Sequence, residues 1–283
     1  MTVGTKADWD EPKQVTKFPR AIPDAELSFL QRVRPDIPLK DLREMLLKWW
    51  IETMKLGTQK YGCVRELYFL RTSVDCNPRY PEALARSHSG RWWIDIGTAF
   101  GQDARLPVLD GWPSNRMLAS DLTPDLWEAG LSLYPNPHNI KYITANVLTS
   151  GPSAEHLEAF RGSAEVVSSN LVFHTLSKEG VDGMLSAILN LLVPGGLLLG
   201  SCAACIEARQ WTEYDPGRWL HSQKSLRQAF ETAGFDQVII EPFDLPEGHN
   251  DHGKIGIRFS GLKPCSASAE HAASAEHAAS AET

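Results

Sequence analysis

The chain has 283 residues, of which 42% are hydrophobic and 22% charged, so it can bury a core and does not have the composition of a disordered chain. Its 35 acidic residues outnumber the 28 basic ones, which argues against a nucleic-acid partner held by a broad basic surface. No apolar run approaches the roughly 20 residues of a membrane span, and the N-terminus lacks an apolar signal segment, so we expect a cytoplasmic protein without stable membrane insertion.

The N-terminal third predicts helices and no sheet. Residues 1–20 have the character of a flexible arm, and residues 21–90 predict a helical cap. Its strongest pattern lies in LKDLREMLLKWWIETMKL, where apolar residues recur at three- and four-residue steps. The predicted helices of the cap cover residues 23–34, 39–56, 65–70 and 81–87.

Residues 91–264 alternate between strand and helix patterns. Predicted strands cover residues 92–97, 116–121, 140–147, 165–170, 197–201, 235–243 and 254–262. Predicted helices cover residues 104–109, 123–134, 153–160, 178–192 and 221–233. This alternation predicts an α/β domain with a mostly parallel sheet. The short loop between the last two strands cannot hold a crossover helix, so we expect the last strand to be antiparallel.

Cysteines and histidines provide little support for a metal site. Cys202 and Cys205 form a CxxC, but no second pair of ligands lies at a suitable spacing, so we interpret them as structural thiols. His249, Asp251 and His252 lie in the predicted loop between the last two strands, where a polar turn is the simpler interpretation. The tail, residues 265–283, repeats SAEHAA and carries three glutamates, and we assign it no chemistry.

An acidic residue and two spaced glycines end the first predicted strand. A dinucleotide-binding loop would have the pattern GxGxxG. Here the carboxylate suits the ammonium group of a cofactor that carries an amino acid, and bare backbone lets a sulfonium ligand approach. We therefore predict a cofactor-binding loop that contains Asp95, Gly97, Thr98, Gly101 and Gln102.

The ends of the next two predicted strands add polar candidates. Asp121 can accept hydrogen bonds from ribose hydroxyls, with Leu122 against an adenine face, although Asp121 or Thr123 could instead cap the next helix. Asn146 and Val147 can meet the adenine edge, although an asparagine here also suits a turn.

The fourth predicted strand ends in SSNLVFH. Ser169 and Asn170 fall at its carboxyl end, where ligands of open α/β sheets bind. His174 could act as a general base or as a hydrogen-bond donor to a substrate. It could equally be a residue at a helix start that packs against the sheet.

Taken in order, these features resemble the class I S-adenosylmethionine-dependent methyltransferases over about residues 90–262. Ala99 departs from the common pattern, in which a glycine often stands at that position. The segments KYGCVRELYFL, NPRY and DIGT further resemble the small fungal methyltransferases of meroterpenoid gene clusters. The resemblance implies an S-adenosyl-L-methionine cofactor, carboxyl O-methylation of an acid on a farnesylated aromatic polyketide, and a homodimer.

A carboxylate acceptor is already ionised near neutral pH, since its pKa is about 4, and needs no general base. Alignment and desolvation would then supply the catalysis, which predicts an apolar pocket lined by aromatic residues. We expect Tyr61, Trp211 and His174 to contact this substrate, while Trp49 and Trp50 are better explained by helix packing.

Three alternatives remain open from the sequence. A phenol or hydroxyl O-methyltransferase would need a base, which would be His174. A protein that binds S-adenosylmethionine without turnover is a second possibility. A redox enzyme that binds NAD(P) is the third, and the spacing of Gly97 and Gly101 disfavours it.

Overall fold

A computed structural model of the protein describes residues 21–55, 64, 66–135, 139–148, 157–211, 217–244 and 254–265. The predicted N-terminal arm and most of the predicted tail lie outside these residues. In the described ranges, no helix combines the length and the apolar character needed to cross a membrane.

In the part of the cap that the structure describes, three α-helices have complete bounds, α1 (Ser28–Val33), α2 (Leu39–Lys55) and α3 (Tyr80–Ala85). On α2, one stripe at helical spacing is buried, formed by Leu42, Leu46, Trp50 and Thr53. Trp50 therefore packs in the core, as predicted.

The helix predicted over residues 65–70 is not formed as such. In residues 66–70, the part of this segment that the structure describes, the regular element is a 3-10 turn, Tyr68–Leu70, and Leu67 directly before it has a φ of 62°. This left-handed conformation is incompatible with a continuing α-helix, so the prediction was wrong in its extent.

The main sheet has seven strands in the order β3-β2-β1-β4-β5-β9-β8. They are β1 (Trp92–Ile96), β2 (Met117–Asp121), β3 (Lys141–Thr144), β4 (Ala164–Asn170), β5 (Leu192–Cys205), β8 (Asp236–Phe243) and β9 (Lys254–Leu262). Neighbouring strands from β3 to β5 are parallel, whereas β9 is antiparallel to both β5 and β8. The predicted mostly parallel sheet with an antiparallel last strand is confirmed.

Helices cover both faces of this sheet: α4 (Gln102–Leu109), α5 (Asp125–Leu133), α6 (Lys178–Leu191) and α7 (Gln223–Ala233). Alternate residues of each strand face opposite cores. Trp93 packs in the core shared with the cap, α4 and α5, whereas Ile94 packs in the core under α6 and α7. The cap thus buries its apolar side against one face of the sheet.

Two side chains, Asn77 and Asp103, connect the cap by hydrogen bonds to the sheet and to helix α4. The Asn77 side-chain amide donates to the carbonyl oxygens of Gly200 (3.2 Å) and Phe259 (2.9 Å). Asp103, at the start of α4, accepts from the backbone N–H groups of Ser73 (2.6 Å) and Val74 (3.1 Å).

A small hairpin between β5 and α7 was not predicted. Strands β6 (Arg209–Gln210) and β7 (Trp219–Leu220) pair antiparallel after the end of β5. Two residues per strand are too few for an alternating apolar pattern, so the sequence carried no strand signal here.

Candidate active site

The loop after β1 has the conformation that its glycines suggest. Gly97 and Gly101 have φ values of 75° and 81°. A Cβ atom on Gly97 would lie 2.2 Å from Cγ2 of Val172, so this position excludes a side chain for reasons of space as well. Ala99 takes the left-handed conformation too, with a φ of 47°, so the loop keeps this geometry despite the missing glycine.

Asp95 lies in β1 below this loop and is almost completely buried. Its Oδ1 accepts from the Ser168 hydroxyl (2.7 Å), which itself accepts from the Trp93 indole N–H (2.8 Å). Within the described part of the chain, its Oδ2 has no hydrogen-bond partner. Burial raises the pKa of Asp95 to about 6, although the Ser168 hydrogen bond opposes this rise. A buried carboxylate with one unused oxygen suits a cationic ligand, and Thr98 is buried beside it.

Asp121 ends β2 and faces the same loop. Its carboxylate accepts from the backbone N–H groups of Ala99 (2.8 Å) and Leu122 (2.7 Å). It does not cap α5, because the N-cap position is Pro124, without a side-chain hydrogen bond. Leu122 is 63% exposed, which leaves an apolar surface beside Asp121 for a flat ligand. Gln102 starts α4 directly after the loop, and its Oε1 is buried without a partner within the described ranges.

The next candidates, Asn146 and Val147, form a turn after β3. The Asn146 side-chain oxygen accepts from the N–H of Leu148 (3.0 Å), as in the turn interpretation. Asn146 and Val147 border a cavity of about 70 Å³ whose other walls include Leu157 and Leu191. Their contact with an adenine edge stays a prediction.

Asn170, at the end of β4, is oriented by a partner on the neighbouring strand. The Ser201 hydroxyl donates to Oδ1 of Asn170 (3.0 Å), and the buried Nδ2 makes no hydrogen bond to the described residues. Leu171 has a φ of 58°, which turns the chain away directly after Asn170. The Ser169 hydroxyl instead donates to the carbonyl oxygen of Ile96 (3.2 Å), inside the sheet.

His174 is held in one protonation state. It lies in the 3-10 turn Phe173–Thr175, and its Nδ1 accepts from the backbone N–H of Ala203 (3.2 Å). Burial, with a smaller effect of the Arg218 charge, lowers its pKa to about 4. A neutral imidazole whose Nδ1 accepts a hydrogen bond carries its proton on Nε2. His174 is therefore a hydrogen-bond donor at Nε2.

Aromatic and cationic residues surround His174. The Trp211 ring lies 5.7 Å from the His174 ring, and the Lys254 ammonium lies 5.3 Å from the Trp211 ring centre. The backbone N–H of Trp219 donates to the carbonyl oxygen of Leu176 (2.9 Å), so strand β7 is attached to the segment that carries His174. The structure thus brings the predicted residues His174 and Trp211 together, next to the unpredicted hairpin.

Tyr61, which was predicted to contact the substrate, lies outside the described residues. The same is true of the segment interpreted as a polar turn, with His249, Asp251 and His252. Over the ranges that the structure covers, no group of three or more potential metal ligands comes together. Cys202 and Cys205 are free thiols.

The strand order, the glycine loop after β1 and the acid at the end of β2 define the fold of the class I methyltransferases. Solved structures agree with this assignment. The CurJ carbon methyltransferase matches with a TM-score of 0.53 and 16% identity, over 85% of this chain and 67% of its own. A Haemonchus contortus phosphoethanolamine N-methyltransferase, solved with S-adenosyl-L-methionine, matches with a TM-score of 0.50 and 14% identity, over 65% and 52%.

In sequence, the chain is similar to fungal methyltransferases, which confirms the predicted resemblance. It is 33% identical over 149 residues to methyltransferase adrK of Penicillium roqueforti, which covers 51% of this chain and 53% of the relative. It is 30% identical over 172 residues to the asnovolin E/chermesin D methyltransferase nvfJ of Aspergillus novofumigatus, over 59% and 60%. The chain therefore spans little more than half the length of these curated relatives. No family model matches the chain.

Proposed function

We propose that the protein is an S-adenosyl-L-methionine-dependent methyltransferase of fungal natural-product biosynthesis that converts the carboxylate of an apolar acid into a methyl ester. The observation that carries the choice of acceptor is the geometry of His174. Its Nδ1 is occupied by the Ala203 N–H, so the residue donates a hydrogen bond and does not accept a proton.

The residues around the glycine loop fit the cofactor. Asp95 offers an unused carboxylate oxygen to an ammonium group, and Asp121 with the exposed Leu122 suits a ribose and an adenine. Bound there, S-adenosylmethionine would supply an electrophilic methyl group. The sequence similarity to nvfJ and adrK, both named as methyltransferases, supports this assignment.

A carboxylate acceptor agrees with the protonation states in this site. It reacts as the anion that is already present at neutral pH, so the protein has only to bind it, orient it and exclude water. The Nδ2 of Asn170, fixed by Ser201, and the Nε2 of His174 are two donors at the end of β4 that can hold such an anion. A phenol or alcohol would need a proton acceptor, a role that the hydrogen bond at Nδ1 denies to His174.

The test is mass spectrometry of apolar acids incubated with the protein and isotope-labelled S-adenosylmethionine. We expect products that gain one labelled methyl group and lose it on mild alkaline hydrolysis, as methyl esters do. Asp121→Ala is the matched control, because it removes the carboxylate assigned to the ribose and leaves the region around His174 intact.

Labelled products that resist alkali would not be esters, and an ether among them would favour the hydroxyl alternative. Tight binding of the cofactor without a product from any apolar acid would favour a protein without turnover.

A further inference from the structure

Two hydrogen-bond donors lie at the start of strand β7, on its first residue, Trp219, and on the residue before it, Arg218, and no described residue accepts from them. The Nε of Arg218 and the Nε1 of Trp219 are buried, and neither has an acceptor among the described residues. Arg218 makes no ion pair within those residues either. A buried donor without an acceptor is costly, and Arg218 adds a positive charge to this position, so the two donors together favour an anionic ligand.

Both donors lie beside the reacting end of the sheet. The N–H of Trp211 donates to the carbonyl oxygen of Arg218 (2.8 Å), and the N–H of Trp219 donates to that of Leu176 (2.9 Å). These bonds place β7 between Trp211 and the segment after β4. Trp211 links Arg218 to His174, because its N–H donates to Arg218 and its ring lies 5.7 Å from the His174 ring. The positive charge of Arg218 also contributes to the lowered pKa of His174.

The surroundings are apolar and positive. Trp211 packs near His174, and Lys254 lies over the Trp211 ring. Ile206, in the turn between β5 and β6, is 71% exposed although it is aliphatic. An organic acid with an apolar body matches this combination of exposed apolar surface and positive charge.

We propose that Arg218 and Trp219 form the carboxylate-recognition site for the acceptor, with the apolar body of the acid against Trp211 and Ile206. This inference rests on the proposed function and names the residues that select an acid over an alcohol or an ester.

One carboxylate oxygen would receive the hydrogen bonds of Arg218 and Trp219, and the other, oriented by the donors of His174 and Asn170, would attack the methyl carbon. The new bond is C–O, and the electron pair of the broken C–S bond stays on sulfur, which leaves as a neutral thioether. No proton moves. The ester product has lost the charge that pairs with Arg218, so it binds more weakly than the acid and is released.

The test compares Arg218→Ala and Trp219→Phe with Arg209→Ala. Trp219→Phe keeps an aromatic ring and removes the indole N–H together with the five-membered part of the ring. Arg209→Ala is the matched control, because it removes an equal charge from the paired strand, where the Arg209 side chain interacts with the Cys205 thiol.

The probes are a farnesyl-substituted benzoic acid and its methyl ester, with binding measured by calorimetry in the presence of S-adenosylhomocysteine. We expect Arg218→Ala to weaken binding of the acid about 10- to 100-fold and binding of the ester about 2-fold or less. Trp219→Phe should weaken binding of the acid about 3- to 10-fold, and Arg209→Ala about 2-fold or less. In turnover, the KM for the acid should rise more than kcat falls.

Thermal unfolding separates recognition from a structural role. Arg218→Ala should unfold at the same temperature as the wild type or higher, because it removes an unpaired charge. A lower unfolding temperature together with equal losses for acid and ester would overturn the proposal.

Equal affinity of the wild-type protein for the two probes, or no binding of the acid, would also overturn it. The proposed function fails separately, if the wild type forms no alkali-labile product from any acid. If esters form and Arg218→Ala leaves the KM unchanged, only the recognition site is wrong.

Discussion

Two substitutions of His174 separate a hydrogen-bond donor from a general base. His174→Asn places an amide oxygen near the position of Nδ1, so it can still accept from the N–H of Ala203, but it has no group at the position of Nε2. His174→Gln reaches that outer position and can place an amide N–H there. A donor role therefore predicts that Gln retains activity and that Asn does not.

The expected magnitude follows from one hydrogen bond to a charged oxygen. Such a bond contributes about 1.5–3 kcal/mol, so His174→Asn should lower kcat/KM by about 10- to 150-fold. His174→Gln should recover most of this loss. Loss of a general base would instead lower kcat by about 10²- to 10⁴-fold in both variants.

The assay is the initial rate of methyl transfer from labelled S-adenosylmethionine from pH 6 to 8 with saturating cofactor, with alkaline hydrolysis to identify the product as an ester or an ether. Because the pKa of His174 is about 4, its protonation does not change across this range, and the wild-type profile should be flat. The pH dependence of the Asn variant should match that of the wild type, only at a lower rate.

Equal losses of kcat in the two variants, with a wild-type rate that falls towards pH 6, would refute the donor role. That result would place a titrating base at His174 and favour a hydroxyl acceptor.

Three further predictions concern the loop after β1 and its neighbours. The dissociation constant of S-adenosylmethionine, measured by calorimetry, should rise below about pH 6, because Asp95 takes up a proton there and loses its attraction for the ammonium group. Asp95→Asn should bind the cofactor weakly at every pH, and an unchanged affinity would contradict this role of Asp95. Gly97→Ala should lower the free energy of unfolding in urea by about 1–3 kcal/mol, and Val172→Ala in the same chain should restore part of it, since Val172 occupies the space of the new methyl group. Burial raises the pKa of Asp103 from about 3.8 in the unfolded chain to about 7 in the folded protein. Between these pH values the folded state binds more protons than the unfolded state, so the free energy of unfolding should fall as the pH rises from 4 to 7. Asp103→Asn keeps an Oδ1 for the N–H groups of Ser73 and Val74, so it should remove this fall and be more stable than the wild type at pH 8 by about 1–4 kcal/mol; equal pH profiles would refute the argument.

The parts of the fold that the sequence predicted are those that local pattern determines. Strand β1 is an apolar run that ends at a glycine, and α2 repeats its apolar residues at helical spacing. The loop conformation followed from the positions of Gly97 and Gly101. Each of these signals lies within about one turn or strand of the element that it specifies.

The parts that the sequence did not reveal depend on partners distant along the chain. Ser201 on β5 orients Asn170 on the adjacent strand β4, and the N–H of Ala203 on β5 fixes the protonation state of His174. The His174 imidazole could be a base or a donor until its partner was known. The sequence did not single out Arg218 for the same reason. That its Nε has no acceptor among the described residues depends on the folded surroundings and not on local sequence pattern.

The charges at the two ends of the site support the choice of acceptor. Asp95 and Asp121 lie by the loop after β1, where we propose that the cofactor binds, whereas Arg218 and Lys254 lie by Trp211. Transfer of a methyl group from a sulfonium cation to a carboxylate anion removes both charges, so the transition state is less charged than the reactants, and a site that excludes water favours it. A neutral hydroxyl acceptor would bring no negative charge to Arg218. It would also need a base that becomes charged when it takes up the hydroxyl proton. In this protein Arg218 supplies a cation for an anionic acceptor, and His174 stays neutral. Both features suit an acid that binds as a carboxylate anion and dissociates as a neutral ester.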